Sequence, residues 1–291
     1  MIKSIIELMR PAQWTKNTVV FAALIFSKNA FNWGYLTNVI LAFIIFCLLS
    51  SATYTFNDII DRQSDKAHPR KKERPIPSGR VNLGVAWGVF IILALLSLSA
   101  SFIILPFSFG LVALLYFALN ICYSLFLKKV IILDVISISI GFVLRAIAGV
   151  EVLVPTVELS TWLLVCTFFL SLFLAISKRR HEVELLEENA KKHRRTLEHY
   201  SARFIDGMIA VVTASTVMSY TLYTISEQTI RKMDTANLVY TIPFVLFGIF
   251  RYLYLVYVRR EGGSPSRLLV QDKPLMAGIL LWIVAVIWIL Y

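Results

Sequence analysis

Charge is scarce in this sequence: Asp, Glu, Lys and Arg make up 16% of its 291 residues. That leaves too little polar surface to clothe a water-soluble domain of this length. Cysteine is scarcer. Cys47, Cys122 and Cys166 each fall inside an apolar run, without metal-ligand spacing and too far apart in sequence for a local redox pair. Reduced structural thiols are expected. His68, His193 and His199 also lack metal-like spacing, and no Gly-rich phosphate loop or Ser/His/Asp arrangement stands out. The N-terminal MIKSIIELMRPAQWTKN has no uninterrupted apolar core followed by a small-residue cleavage site, so a removed signal peptide is not expected. It reads instead as a short interfacial segment carrying Lys3, Arg10 and Lys16, with Trp14 at headgroup depth.

Apolar runs are abundant. The chain is 58% hydrophobic with a mean hydropathy of +0.72, and its long runs predict an all-α polytopic membrane protein. Nine spans can be drawn, at about 17–32, 35–56, 83–104, 107–127, 132–152, 160–177, 203–226, 236–258 and 274–290. None alternates as a transmembrane barrel strand would. With the N-terminus inside, 24 of the 29 Lys and Arg residues fall on the N-terminal arm, on loops near 57–82, 128–131, 178–202 and 259–273, and on Arg203. The opposite side holds Lys28, Arg231 and Lys232 beside Glu151, Glu158, Glu227 and Asp234. This bias predicts a cytoplasmic N-terminus, an external C-terminus and a chemically equipped cytoplasmic face, in the cell's inner or plasma membrane. The net charge of +11 is then read as loop charge meeting anionic lipid or substrate, not as a nucleic-acid surface.

The densest polar stretch is NDIIDRQSDKAHPRKKERPIPSG, 57–79. Asn57, Asp61 and Asp65 are spaced by four, so they share a helix face, with Asp58 beside it. Such oxygens next to a bilayer call for a compensating cation, and oxygen ligands suit Mg²⁺ shared with substrate phosphates. A capped, solvated helix end balanced by its own cations is the simpler alternative. Arg70, Lys71, Lys72 and Arg74 follow in a loop stiffened by Pro69, Pro75 and Pro77. These cations suit phosphate oxygens.

Further candidates lie downstream. Arg145, in GFVLRAIAG, shares a helix face with Asp134, Ser137 and Gly141 and sits roughly 16 Å from Asp134 along the axis. An intramembrane Arg belongs to a polar cavity or to an internal ion pair. Tyr123 and Lys128 close the preceding span, Lys128 being a topology charge or a phosphate ligand. In KRRHE, 178–182, Lys178 and Glu182 lie one turn apart, flanked by Arg179 and His181, as in a salt-bridged helix start. The stretch 178–203 has helix-forming composition, and 259–274 reads as an irregular loop. Arg251 is either a buried structural charge or a snorkelling one.

NDIIDRQSD resembles the first aspartate-rich motif of the UbiA superfamily of intramembrane prenyltransferases, whose fold of about nine helices fits the spans. More narrowly, the chain resembles the bacterial decaprenyl-phosphate phosphoribosyltransferases. RPAQWTKN (10–17), NDIIDRQSDKAHPRKKERPI (57–76), YSLFLK (123–128), LRAIAG (144–149), SKRRHE (177–182) and IPFVLFGIFRYLYLVY (242–257) carry that likeness. Where superfamily members have a second acidic motif, this chain has Lys178-Arg179-Arg180-His181-Glu182. One acidic site facing cations favours a phosphoribosyl diphosphate donor and a polyprenyl phosphate acceptor over a doubly clamped prenyl diphosphate.

The resemblance implies one transmembrane UbiA-like domain over residues 1–291 with its active site at the cytoplasmic face. It also implies Mg²⁺ held by Asn57, Asp58, Asp61 and Asp65. Tyr54 and Tyr123 would line the pocket, while Lys16, Lys71, Arg74 and Lys128 would bind phosphate and Lys178, Arg179 and Arg145 would hold the lipid phosphate. The product would feed lipid-linked pentose and cell-wall glycan synthesis. Prenyl transfer to an aromatic acceptor and transport of a phosphorylated solute remain alternatives at this level. Lipid chain length and oligomeric state are not legible.

Overall fold

The computed structural model describes residues 1–67, 71–155, 157, 159–187, 200–263 and 265–291. His68, Pro69, Arg70, Glu158 and the 188–199 part of the second polar segment, with His193 and His199, lie outside the described residues. Regular structure among the described residues is helical throughout. This is the expected solution for a chain in lipid, where each backbone N–H and C=O must find its partner within its own segment.

Short helices α1 (Ile2–Met9) and α2 (Ala22–Phe26) flank a 3-10 segment, Pro11–Phe21. Then come α3 (Trp33–Ile60), α4 (Arg62–Ala67), α5 (Leu83–Ile103), α6 (Phe107–Leu125), α7 (Leu133–Glu151), α8 (Thr161–Glu187) and α9 (Ala202–Ile225). The chain finishes with α10 (Glu227–Met233), α11 (Ile242–Tyr257), α12 (Pro265–Gln271) and α13 (Lys273–Leu290). Polar side chains start several of the long helices: Asn32 caps α3, Asn82 caps α5, Ser201 caps α9 and Asp272 caps α13. Each satisfies backbone N–H groups that the first turn leaves unpaired.

Eight helices among the described residues are long and apolar enough to cross a membrane, and they match eight of the nine expected spans. The span expected at about 17–32 is different. It continues the 3-10 segment to Phe21 and is helical only as far as Phe26. Beyond it Lys28 takes a left-handed backbone conformation and donates its Nζ to the Met233 carbonyl at 2.6 Å. Instead of spanning, residues 11–26 pack on α7 and α3. Gly149 permits this closeness: a Cβ there would lie 2.2 Å from the Val20 carbonyl oxygen.

One apolar core joins α3, α6, α7 and the 3-10 segment through Val20, Phe46, Phe109, Tyr116 and Ala148. A second joins α8, α9, α11 and α13 through Phe173, Ile205, Tyr252 and Leu275. Large apolar side chains such as Leu95, Leu115, Val211, Leu281 and Trp288 face outward, as lipid contact requires. A cavity of about 970 Å³ takes its walls from both cores.

Alanine at position 149 should force the 3-10 segment off α7. Gly149→Ala is expected to cost about 1–3 kcal/mol by overpacking, read as a lower thermal midpoint in detergent. Gly207→Ala, where nothing lies within 4 Å of the added methyl, should be neutral or slightly stabilising.

Candidate active site

The acidic motif straddles the end of α3 and the start of α4, and the structure divides its oxygens into two sets. Asn57 and Asp61 stand one turn apart and converge on one cation: Lys128 Nζ donates to Asn57 Oδ1 at 3.1 Å and to Asp61 Oδ1 at 2.6 Å. Asp58 and Asp65 form the other set, both buried. Arg74 bridges them, donating Nη1 to Asp58 Oδ1 at 3.1 Å and to Asp65 Oδ2 at 2.6 Å. Arg10 adds a second guanidinium on Asp58, and Lys71 Nζ lies 4.0 Å from Asp65 Oδ1. The four residues expected around one metal are thus divided between two sets of cations. Asp58 and Asp65 pin the loop 71–81 and the end of α1 beneath the bundle. Glu7 reinforces that junction through Arg80, whose guanidinium holds the Glu7 carboxyl below its ordinary range.

Lys128 also differs from expectation. It rides on the 3-10 turn Leu127–Lys129 after α6, its side chain is 5% exposed, and it is absent from the cavity wall that Asn57 and Asp61 share. It donates to the acidic pair from outside that wall. Tyr54 and Tyr123 do line the cavity.

Across the cavity stands the segment that replaces a second acidic motif. Arg179 is buried and donates Nε to Asp134 Oδ2 at 2.8 Å while also pairing with Glu182. The Tyr200 hydroxyl donates to Asp134 Oδ1 at 2.9 Å and accepts from the Ile132 N–H. Arg179 is thus already neutralised by two carboxylates and is poorly suited to hold a lipid phosphate. Lys178, with its side chain 45% exposed, keeps the expected one-turn contact with Glu182 at 3.7 Å. Arg251 is structural: it forms a two-pronged pair with Asp272, the cap of α13.

Arg145 has no acidic partner among the described residues. Its Nε donates to Asn17 Oδ1 at 2.8 Å, Nη1 to the Gly141 carbonyl at 3.0 Å and Nη2 to the Tyr116 hydroxyl at 2.6 Å. The internal pair with Asp134 does not form, because Asp134 belongs to Arg179. Arg10, Asn17, Tyr116 and Tyr200 are site residues that the sequence reading did not single out. Their partners lie 29 to 128 residues away, so no local pattern could expose them.

The cavity wall is strongly cationic. At the Asn57–Asp61 end Arg10, Lys16, Lys71, Arg74, Arg145, Lys178 and Arg179 reach it, against Asp61 and Glu182 as carboxylates among the described residues, while Lys232 lines the far end beside Thr229 and Met233. Burial, with repulsion from Arg145 and Arg10, pushes the Lys16 ammonium down to about 8. Away from this end the wall turns apolar, with Trp162, Leu163, Leu170, Phe244 and Trp282. No group of three His, Cys, Asp or Glu side chains among the described residues could hold a metal unaided. The Asn57–Asp61 pair nonetheless fits Mg²⁺. Both donors are hard oxygens already sharing one cation, and Mg²⁺ fills its remaining positions with water and phosphate oxygens.

The family model of the UbiA prenyltransferase family matches residues 17–271. The chain belongs to this family. It is 34% identical to decaprenyl-phosphate phosphoribosyltransferase of Corynebacterium glutamicum over 98% of this chain and 86% of that one. It is 32% identical to the enzyme of the same name from Mycolicibacterium smegmatis over 97% of this chain and 91% of that one. Its fold matches a UbiA homologue from Archaeoglobus fulgidus, solved with DMAPP and Mg²⁺, with a TM-score of 0.72, 99% coverage of both chains and 19% identity.

Replacing Arg179 by Met should leave buried Asp134 unpaired and destabilise this UbiA-family protein by about 3–5 kcal/mol. Lys178→Met should change stability by less than about 1 kcal/mol, since its partner contact is exposed. Thermal unfolding of both variants in the same detergent checks the contrast.

Proposed function

We propose that this chain transfers 5-phosphoribosyl from phosphoribosyl diphosphate to a polyprenyl phosphate, releasing diphosphate. The observation that carries this reading is the cavity wall, where seven cations at the Asn57–Asp61 end accompany two carboxylates. Such a surplus suits a donor bearing a diphosphate and a separate monophosphate, met by an acceptor that is itself a phosphate. The near-full-length relatives named above support the same reaction.

In this reading Asn57 and Asp61 offer their oxygens to Mg²⁺, which when bound neutralises charge on the departing diphosphate. Lys128 keeps the two oxygens aligned from behind. Lys71 and Arg74, on the loop held by Asp65 and Asp58, present positive charge to the same diphosphate and stabilise it as the bond to ribosyl C1 breaks. A phosphate oxygen of the lipid forms the new bond to C1. That oxygen is already anionic, so no residue need remove a proton. Lys178 stands where the lipid headgroup would enter, and the apolar wall around Trp162, Phe244 and Trp282 would take the start of its isoprenoid chain.

The charge bias supports a cytoplasmic N-terminus and reacting end in the inner or plasma membrane, and residues 1–291 are read as one domain. The product would serve lipid-linked pentose and cell-wall glycan synthesis.

Purified protein given Mg²⁺, labelled phosphoribosyl diphosphate and polyprenyl phosphate should move label into the lipid. A parallel incubation with prenyl diphosphate and aromatic acids should yield nothing. Product in the second incubation alone would sink the proposal. Chelation should stop turnover, and Asp61→Asn should lower it about a hundredfold or more; an Asp61→Asn enzyme of normal rate would remove the metal from the reading.

A further inference from the structure

Much of the charge in the cavity wall stands in two banks. Asp61, Lys71 and Arg74 belong to the end of α3 and the loop after α4, whereas Lys178, Arg179 and Glu182 belong to α8. The helices pack in the order α3, α6, α7, α8, so α6 and α7 stand between the banks. At this end they give the cavity Asn120, Tyr123 and Ser124 from α6 and Ser137 from α7. The wall between the banks is therefore polar but uncharged.

Contacts fix the depth of these groups. The Tyr116 hydroxyl is engaged by the Thr53 side chain, and the Tyr116 ring lies 3.8 Å from where a Cβ on Gly141 would be. Thr53, Tyr116 and Gly141 are thus level with one another on α3, α6 and α7. One turn towards the charged end, about 6 Å along each axis, stand Asn57, Asn120 and Ser137. Asn120 and Ser137 accordingly lie level with the Asn57 that meets Asp61 at Lys128.

These two residues offer acceptors. Asn120 is anchored through its Nδ2, which donates to the Tyr116 carbonyl at 2.8 Å, and its Oδ1 accepts no hydrogen bond from a described residue. Ser137 donates Oγ to the Leu133 carbonyl at 2.5 Å, which leaves its oxygen lone pairs to accept. A phosphate dianion has no donor to give such atoms. A hydroxyl does.

We propose that Asn120 Oδ1 and Ser137 Oγ accept hydrogen bonds from the ribosyl hydroxyls of the donor, and that Asn120 sets the selectivity for a hydroxylated sugar. This rests on the phosphoribosyl-transfer reading of the same cavity. The sugar is the uncharged middle of that donor, and it meets the uncharged part of the wall.

The test uses full-length protein in detergent with Mg²⁺ and polyprenyl phosphate. Transfer is followed from phosphoribosyl diphosphate and from its 2-deoxy and 3-deoxy analogues. Wild type should prefer the parent donor over at least one analogue by about tenfold or more in kcat/KM, as the loss of one hydrogen bond implies. Asn120→Ala should lose that preference, falling with the parent donor and holding steady with the disfavoured analogue. Alanine is the better helix former, so the thermal midpoint should not drop. Ser137→Ala should erode the preference in the same sense, and an unchanged preference would remove Ser137 from the subsite.

The proposal is overturned if wild type uses all three donors equally well or if Asn120→Ala keeps the preference. It is also overturned if Asn120→Ala slows all three donors alike, since Asn120 would then be structural. Should wild type transfer no phosphoribosyl, that reading fails and binding decides the subsite. Calorimetry should then still show ribose 5-phosphate bound more tightly than its 2-deoxy or 3-deoxy form, with the difference lost in Asn120→Ala. Equal affinities, or no binding, would overturn the subsite as well.

Discussion

Charge inside an apolar bundle must be neutralised locally, and this constraint organises the whole charged end of the protein. Asp61 and Asn57 share Lys128. Asp58 and Asp65 share Arg74, with Arg10 and Lys71 as further partners. Asp134 and Glu182 share Arg179. Apart from Glu182, which lies on α8 with Arg179, each of these carboxylates sits on one segment and its cation on another, so neutralisation ties α1, α3, the 71–81 loop, the Lys128 turn, α7 and α8 into one rim. A buried pair contributes little net stability, but losing one partner is expensive, and the geometry of the rim is held for that reason.

Function follows from where the balance fails. Inside the rim the positive charges outnumber the carboxylates, and Arg145 has no acidic partner among the described residues. A cavity of this kind is poised for anions before any ligand arrives, since its donors are fixed by hydrogen bonds to the protein rather than gathered from solvent. The apolar part of the same wall offers no partner to phosphate and is suited to hydrocarbon. A charged rim continuous with a greasy chamber is the physical description of a site for lipid phosphates.

Much of this was legible from the chain alone. Hydropathy located eight of the helices, because a membrane-crossing segment announces itself by composition over a local window. The spacing of Asn57 and Asp61 identified two oxygens that do share one cation. The one-turn contact of Lys178 with Glu182 is equally local. The broken segment 11–26 was not legible: its apolar content resembles a span, and its 3-10 form depends on how closely Gly149 lets it approach α7.

By itself, then, the sequence determined the class of fold, the cationic replacement for a second acidic motif and the family, all of which reside in composition or short spacings. Tertiary structure alone decided which charges cancel. Asp58 could have faced a metal until Arg10, 48 residues away, reached it. Arg145 could have paired with Asp134 until Arg179 took that carboxylate and Asn17, 128 residues away, took Arg145. Electrostatic partnership depends on distances of a few ångströms between remote segments, and only the packed chain sets those distances.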